Sequence, residues 1–306
     1  MSAVLQQQNS SSMFMSVREV AEYLQLNEKK IYSLVNEQKI PATKVTGKWM
    51  FPRELVDRWM LNSTHGGLMT DRLVIAGSDD PLLYRIVMQF TQDVGNRALI
   101  SYSTSGTRMG LELLQSNRAD ICGIHWGPKT ESHMRHPALL HHYSHHRQWV
   151  LIHAFRREQG LMIHPRLQEH VNNPEPLFEQ RYRWALRQSG AGAQRFLMEM
   201  LSGFGLNSEN LTSTITALSE REAAAAIVMG QADVAPGARS AAHEFGLEFI
   251  PFGWESFDLV MTRDIWFRRL FQELVSRIRS QPCQSYAEQL TGYDLTNAGE
   301  LIWGDD

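Results

Sequence analysis

Apolar positions in the first sixty residues recur twice at helical spacing. The first group, at 17, 20, 21 and 24, follows Ser16 and Glu19, which have the spacing of a capping box. The second group lies within 28–35, directly after Asn27, a residue type that caps helix starts. Two short helices joined by a tight turn predict a helix-turn-helix.

The pattern then changes from helical spacing to alternation. Residues 39–45 and 49–51 alternate between apolar and polar on either side of Gly47, as two strands joined by a turn do. Pro52 suits the first turn of a third helix. We therefore expect a winged helix-turn-helix over residues 13–61.

From residue 71 onward, strand-like apolar runs alternate with helical stretches. The runs are 73–77, 98–102, 119–125, 182–186 and 232–237. Turns rich in Gly, Ser or Thr open the intervening helices, which predicts an α/β domain with parallel sheets. The two halves of this domain resemble each other in sequence. Each has an Ala-Asp pair before a short strand, ending at Asp120 in the first half and at Asp233 in the second. Two similar lobes, linked by the apolar stretches 148–154 and 257–261, would leave a cleft between helix N-termini, where an anion would bind.

These patterns predict the organisation of the whole chain. The expected parts are a disordered tail at 1–12, the winged unit at 13–61, a polar linker at 62–70, a first lobe at about 71–150 plus 257–306, and a second lobe at about 155–250.

Composition narrows the class of protein. With 306 residues, 43% hydrophobic and 21% charged, the chain is typical of a soluble globular protein of two domains. Residues 13–60 carry eight Lys/Arg and six Asp/Glu, so the winged unit is basic although the net charge is −3. Cys122 and Cys283 are far apart, which excludes a disulfide framework and a zinc finger. Neither a membrane-spanning run nor a signal-peptide pattern is present, so we expect a cytoplasmic protein.

Four segments of the winged unit match a known family in order and spacing. They are Ser-Val-Arg-Glu-Val-Ala-Glu-Tyr-Leu from position 16, Glu-Lys-Lys-Ile-Tyr from 28, Lys-Ile-Pro-Ala from 39 and Gly-Lys-Trp-Met-Phe from 47. The unit resembles the excisionase-type, MerR-like winged helix-turn-helix.

This resemblance implies a DNA-binding surface made by the second helix, which enters a major groove, and by the wing, which meets phosphates or the minor groove. The implied residues are Glu28, Lys29, Lys30, Tyr32, Ser33, Lys44, Lys48 and Trp49. A recognition helix needs short polar and cationic side chains on its outer face, and Lys29, Lys30 and Ser33 meet that need. A helical module that docks another protein is the alternative.

The larger part of the chain carries a second resemblance. Its segments are 75–79, 103–106, 119–125, 187–192, 230–233 and 255–260. They look like the periplasmic-binding-protein-like substrate domain of cytoplasmic regulators, in particular those related to molybdate- and tungstate-binding proteins. Fused to the winged unit, such a domain resembles a one-component transcriptional regulator.

A dehydrated tetrahedral oxyanion is held by backbone N–H groups at helix starts and by Ser and Thr hydroxyls. The candidate ligand-binding residues are Ser78, Asp79, Ser103, Thr104, Ser105, His125, Arg187, Ser189, Gly190, Ala191, Gly237 and Glu255. The hydroxyl residues stand at predicted helix starts, where capping is their alternative role. Trp126 and Trp254 either line the cleft or pack in the core.

The second-lobe loop departs from the family pattern Arg-x-x-Gly-Ser-Gly-Thr-Arg. Ala191, Ala193 and Gln194 replace two hydroxyls and a guanidinium, so part of the expected anion cradle lacks side-chain donors. Backbone amides could suffice, or the ligand could be another oxyanion, a small carboxylate or a cofactor-related molecule.

Two further patterns in the sequence do not lead us to expect a functional site. Six of the 12 histidines fall between His133 and His146, with Glu131 as the one acidic neighbour, and we expect a mobile polar loop in preference to a metal site. Residues 190–192 begin like a dinucleotide fingerprint, but Arg195 stands where its third Gly or Ala belongs.

The predicted fold class is α/β, a small N-terminal winged helix-turn-helix plus a two-lobed type II periplasmic-binding-protein-like α/β domain. Because no catalytic set is identifiable, we expect no enzyme and no cofactor. The favoured function is a homodimeric or higher-order regulator that binds a double-stranded DNA operator and senses a small anion such as molybdate or tungstate. The alternatives are a regulator that senses an organic acid or a cofactor-related molecule, an enzyme, and a ligand-independent DNA-binding protein.

Overall fold

The structure, a computed structural model, describes residues 13–37, 39–62, 72–128 and 130–304. The chain divides between Asp71 and Arg72 into two compact units. The predicted tail at 1–12 and the part of the predicted linker at 63–70 lie outside the described residues.

The first unit combines short helices with a small antiparallel sheet of order β1-β3-β2. Its elements are β1 (Phe14–Met15), α1 (Val17–Leu24), α2 (Glu28–Asn36), β2 (Thr43–Val45), β3 (Lys48–Pro52) and α3 (Arg53–Asn62). Ser16 and Glu19 form the reciprocal capping box of α1, and the Asn27 side chain accepts a hydrogen bond from the Lys30 N–H at 2.7 Å. Both predicted helix starts are therefore confirmed.

The wing turns at Thr46 and Gly47, whose φ angles are 47° and 85°. Two successive positive φ values are typical of a tight hairpin turn that matches the twist of its strands. Pro52 ends β3 and α3 begins at Arg53, so the predicted start of this helix at Pro52 is wrong by one residue. Proline is tolerated both at strand ends and in the first helical turn, and sequence alone does not separate the two positions.

The second unit is built on one mixed sheet with the strand order β5-β4-β6-β11-β7-β10-β8-β9, and β12 and β13 also pair with β7. The strands are β4 (Arg72–Gly77), β5 (Leu99–Thr104), β6 (Ile121–His125), β7 (Trp149–Ile163), β8 (Arg183–Arg187), β9 (Thr212–Ala217), β10 (Val234–Ala238), β11 (Glu248–Thr262), β12 (Tyr293–Asp294) and β13 (Leu301–Gly304). The helices are α4 (Pro81–Val94), α5 (Thr107–Gln115), α6 (Ser132–Leu140), α7 (Gly192–Gly203), α8 (Glu220–Val228), α9 (Arg239–Glu244), α10 (Arg263–Phe267), α11 (Arg269–Ile278) and α12 (Gln281–Leu290).

Two long strands, β7 and β11, run antiparallel through both lobes and are 15 residues each. β11 pairs with β6 in the first lobe, and β7 pairs with β10 in the second. The parallel strands β5-β4-β6 and β10-β8-β9 flank this central pair. The predicted parallel sheets are therefore halves of a mixed sheet, because the two linking stretches are themselves strands.

Each lobe has its own apolar core. In the first lobe, α4, α11 and α12 cover the sheet with fully buried side chains that include Phe90, Phe271 and Leu274. In the second lobe, α8 packs through Ala223, Ala224 and other small residues, which lets the helix approach its strands closely. Within the described part of the chain, no helix is both long and apolar enough to span a bilayer.

Candidate ligand pocket and DNA-binding surface

Arg157 of β7 is completely buried and joins the two lobes. Its guanidinium donates to Asp80 at 3.0 Å, to Glu220 at 2.9 Å and to Glu255 at 2.8 Å. Asp80 caps α4 in the first lobe, whereas Glu220 is the first residue of α8 in the second. Burial by itself lowers the pKa of Arg157, but the three carboxylates outweigh burial and raise the pKa well above its usual value. We call Asp79, Asp80, Glu220 and Glu255 with Arg157 the acidic network.

Asp79 is the least compensated member of the acidic network. Burial, followed by the negative charges of Glu220 and Asp80, raises its pKa from 3.8 to about 6. Its Oδ2 atom is buried and has no hydrogen-bond partner among the described residues. The four carboxylates of the acidic network outnumber its one guanidinium group, so this region disfavours an anion.

The two lobes touch at several points. The Gln188 side chain of the second lobe donates to the Ser105 carbonyl of the first at 3.0 Å. His125 of β6 bonds to Glu255 at 2.9 Å, and a Cβ atom on Gly192 would overlap the His125 ring. The two lobes are therefore in direct contact at Ser105 and at His125.

Several predicted ligand residues lie in or beside the acidic network. Asp79 and Glu255 belong to it, and His125 bonds to Glu255. Gly237 lies within β10, next to Ala238, whose N–H donates to Glu220 at 3.1 Å. The Ser78 hydroxyl bonds to the Thr107 hydroxyl at 2.8 Å.

The predicted helix start at Ser103 and Thr104 is wrong. Both residues end β5, where they pair with Ala76 and Gly77 of β4, and α5 begins only at Thr107. Pairing with β4 extends β5 through Thr104, a β-favouring residue type, beyond the strand end that the sequence predicts at residue 102. The Ser105 hydroxyl accepts from the Gly77 N–H at 3.1 Å and so stabilises the turn itself.

A separate, open pocket of about 650 Å³ lies between the lobes and is rich in arginine. We call it the arginine pocket. Its lining residues are Arg108, Trp126, Arg187, Ser189, Gly190, Gln194, Arg195, Met198 and Glu199. Three predicted ligand residues, Arg187, Ser189 and Gly190, come together here, and Ala191 follows them as the N-cap residue of α7.

Arg187 is the most buried cation of this pocket, with 5% of its surface exposed. One of its terminal nitrogens donates to the Ala217 carbonyl at 3.1 Å, but its buried Nε–H has no partner among the described residues. Burial lowers the pKa of Arg187, although Glu220 and Asp79 act in the opposite direction. A buried donor that is not satisfied costs free energy, which a ligand oxygen would recover.

The other two arginines approach the pocket from opposite lobes. Arg108 of α5 packs over Gly190, since a Cβ on that glycine would lie 3.0 Å from the Arg108 Cβ. Arg195 of α7 stacks 4.9 Å from the ring centre of Trp126, a residue of the first lobe. Sequence reasoning missed Arg108 and Arg195 as ligand residues, because neither belongs to a loop motif.

The altered second-lobe loop also has a structural explanation. Gln194 replaces the family's guanidinium. Its side-chain oxygen accepts a hydrogen bond from the backbone N–H of Arg187 at 2.8 Å. Ala191 and Ala193 are buried at the start of α7 and therefore contribute no polar group to the pocket. The side-chain donors in this region come instead from Arg108, Arg187 and Arg195.

The expected mobile loop at the histidine cluster is wrong for residues 132–140, which form α6. His136 is fully buried and its Nδ1 lies 2.5 Å from Asp258, while Leu139 and Leu140 pack in the core. His153 contacts the same carboxylate at 2.8 Å. No group of three or more metal-ligating side chains that could hold an ion occurs in the described ranges.

The predicted DNA-binding residues occupy two surfaces of the first unit. Glu28, Lys29, Lys30 and Tyr32 are exposed on α2, and the half-buried Ser33 donates to Glu37 at 2.6 Å. On the wing, Lys44 and Lys48 are exposed.

Trp49 of the wing is less exposed than Lys44 and Lys48. It is half-buried against the core of the unit, and the Lys44 ammonium lies 5.5 Å from the centre of its ring. Trp49 therefore supports the wing in addition to any contact with DNA.

Each of the two units of the chain matches the model of a known family. The family model of the PBP superfamily domain matches residues 89–279, and that of a helix-turn-helix domain matches residues 14–64. The chain is also 27% identical over 155 residues to the uncharacterized protein YvgK of Bacillus subtilis (strain 168). The match covers 50% of this chain and 50% of that protein, so the chain spans about half the length of this relative.

Solved structures resemble the chain at low identity. Full-length BenM is 14% identical, with 90% of this chain and 92% of that chain covered and a TM-score of 0.49. The BenM effector binding domain with its effector benzoate is 14% identical, with coverages of 76% and 99% and a TM-score of 0.49. An ABC-type phosphate transport receptor from Vibrio cholerae is 11% identical, with coverages of 72% and 98% and a TM-score of 0.45. Because its family model covers more than half of the chain, the protein belongs to the PBP superfamily, and it carries a helix-turn-helix domain at its N-terminus.

Proposed function

We propose that the protein is a DNA-binding transcriptional regulator whose second unit senses a small anion. The observation that carries this proposal is the arginine pocket, which lies between the lobes of a domain that shares its chain with a helix-turn-helix. Regulation needs a ligand that binds one lobe arrangement more tightly than the other. A ligand held by Arg108 of one lobe and Arg187 of the other meets that need, because its contacts are complete only when the lobes are closed.

The ligand is an anion, with molybdate or tungstate as the inorganic candidates and a small organic acid as the alternative. Support for an anion comes from charge and burial, since three arginines line the pocket and the Nε–H of Arg187 lacks a partner among the described residues. We propose a binding role without catalysis, and a homodimer or higher homo-oligomer as the form that binds a two-fold symmetric operator.

DNA binding and anion response are tested together on the full chain. Selection from a random duplex pool should enrich a defined sequence, and fluorescence anisotropy should then give its Kd with and without each anion. We expect enrichment and an anion-dependent change in Kd of about fivefold or more, the usual range of coupling between sites. Failure to enrich any sequence would contradict DNA regulation. Enrichment without response to any anion would identify a ligand-independent DNA-binding protein.

A further inference from the structure

We propose that the arginine pocket binds an organic anion that carries at least two negative charges, such as a dicarboxylate or a phosphorylated small molecule, in preference to an inorganic tetrahedral oxyanion. This inference rests on the proposed function, because it names the class of anion that the second unit senses. Volume, charge and the nature of the pocket walls each support it.

The pocket is larger than an inorganic oxyanion requires. A tetrahedral oxyanion has five heavy atoms and fills about 150 Å³ if each takes the volume of a water molecule in the liquid. The arginine pocket measures about 650 Å³ and lies within the range of small-molecule sites in proteins. A molybdate ion at Arg187 would leave most of this volume to water.

The charge of the pocket lining favours a ligand with more than one negative group. Three arginines and one acidic residue, Glu199, line the pocket, and the Glu199 carboxylate already bonds to Arg135 at 2.7 Å. Arg108 pairs with the exposed Glu112 at 3.9 Å, and the charges of Glu220 and Asp79 act on Arg187 from outside the pocket lining. A ligand with two anionic groups can form charge-assisted hydrogen bonds with guanidinium groups of both lobes at once, whereas a ligand with one anionic group serves fewer of them.

The walls between the arginines suit a carbon skeleton. The ring of Trp126 and the side chain of Met198, which is 41% exposed, provide apolar surface beside the guanidinium groups. Ser189 and Gln194 add neutral polar groups that can bond hydroxyl or carbonyl oxygens. Apolar walls with a few convergent polar groups are typical of sites for organic ligands.

The acidic network disfavours the alternative location for the anion, the loop at Ser78. The hydroxyl-bearing loop that contains Ser78 runs directly into Asp79 and Asp80, whose carboxylates repel a negative charge. The arginine pocket is therefore the place between the lobes where a dianion is stabilised.

Calorimetry on the full chain, with a set of matched anions, tests the proposal. The probes are succinate against butyrate, glycerol 3-phosphate against glycerol, citrate, molybdate, tungstate and sulfate. We expect at least one organic dianion or trianion to bind at least about tenfold more tightly than its matched control and than every inorganic oxyanion, the factor that one charge-assisted contact supplies. Arg108→Gln and Arg195→Gln should each weaken that binding by about tenfold or more.

Arg269→Gln is the matched control, because Arg269 is also an exposed arginine near a helix start that pairs with a glutamate four residues on. It should change the affinity by less than about twofold, within the usual effect of a surface substitution. Tighter binding of molybdate or tungstate, lost in Arg108→Gln, would overturn the proposal and leave the regulator function intact. If none of the organic anions bound, the proposal would also fail, and the operator titration would decide separately whether the regulator function survives.

Discussion

Gly192 lies directly against the imidazole ring of His125, so that the start of α7 in the second lobe touches the end of β6 in the first. The ring cannot simply move away, because it is buried and bonded to Glu255 at 2.9 Å. Close approach of the lobes at this point depends on the absence of a side chain on residue 192.

Gly192→Ala should therefore open or strain the closed lobes. We expect it to lower the free energy of unfolding by about 1–3 kcal/mol, the usual cost of overpacking, and to increase the radius of gyration measured by small-angle scattering. Gly203→Ala at the other end of the same helix is the control, since a Cβ there meets no atom within 4 Å. Equal behaviour of the two variants would show that the Gly192 contact does not limit closure.

Arg157 should be essential for stability, and its neighbour Arg156 should not. Arg157→Met leaves three buried carboxylates without their shared partner, which we expect to cost about 3–5 kcal/mol or more. Arg156→Gln removes a partly exposed pair with Asp294 and should cost less than about 1 kcal/mol. Urea unfolding of both variants measures the difference, and similar losses would argue against the acidic network as the interlobe connection.

Asp79 should destabilise the protein as its carboxyl group ionises. Its pKa in the folded protein, about 6, lies above the usual value of 3.8 for an aspartate, so the folded state binds more protons than the unfolded state between these values. Stability therefore falls as the pH rises from about 4 to about 6. Asp79→Asn should stabilise the protein at pH 7.5 by up to about 3 kcal/mol, and the gain should shrink towards pH 4.

Thermal unfolding from pH 4 to pH 8 checks the Asp79 prediction. Asp264→Asn, at an exposed aspartate, should give no comparable pH-dependent gain. A gain for Asp79→Asn that is equal at pH 4 and pH 7.5 would indicate a packing effect and not the loss of a charge.

Lys29 and Lys30 should contribute to DNA affinity through phosphates or bases. For a duplex selected as above, Lys29→Gln and Lys30→Gln should each weaken binding. A lysine that contacts a phosphate should reduce the slope of log K against log salt by about one. Arg181→Gln, an exposed arginine of the second unit that pairs with Glu179 at 3.0 Å, should leave both affinity and slope unchanged. Unaltered binding by both lysine variants would place the DNA contact elsewhere.

Short-range signals in the sequence predict the first unit well. Ser16, Glu19 and Asn27 cap helices through side-chain contacts within three residues, and Gly47 supplies the tight turn of the wing, so local patterns contain this information. The strand β1 escapes detection, because two residues leave no alternation to recognise.

The candidate site of the second unit depends on contacts between distant segments, and the sequence reveals only part of it. Arg187, Ser189 and Gly190 stand in a recognisable loop, whereas Arg108 and Arg195 lie within helices where arginine is an ordinary surface residue. The same limit applies to Asp79, because nothing in the local sequence indicates that folding brings Glu220 close to it.

The course of β7 and β11 has a consequence for synthesis on the ribosome. The second lobe is continuous in the chain, but the core of the first lobe includes Phe271, Leu274 and Leu290 from α11 and α12 near the C-terminal end. The second lobe can therefore complete its core during translation while the first still exposes apolar strands. The lobe whose synthesis begins first is therefore the lobe whose core is completed last.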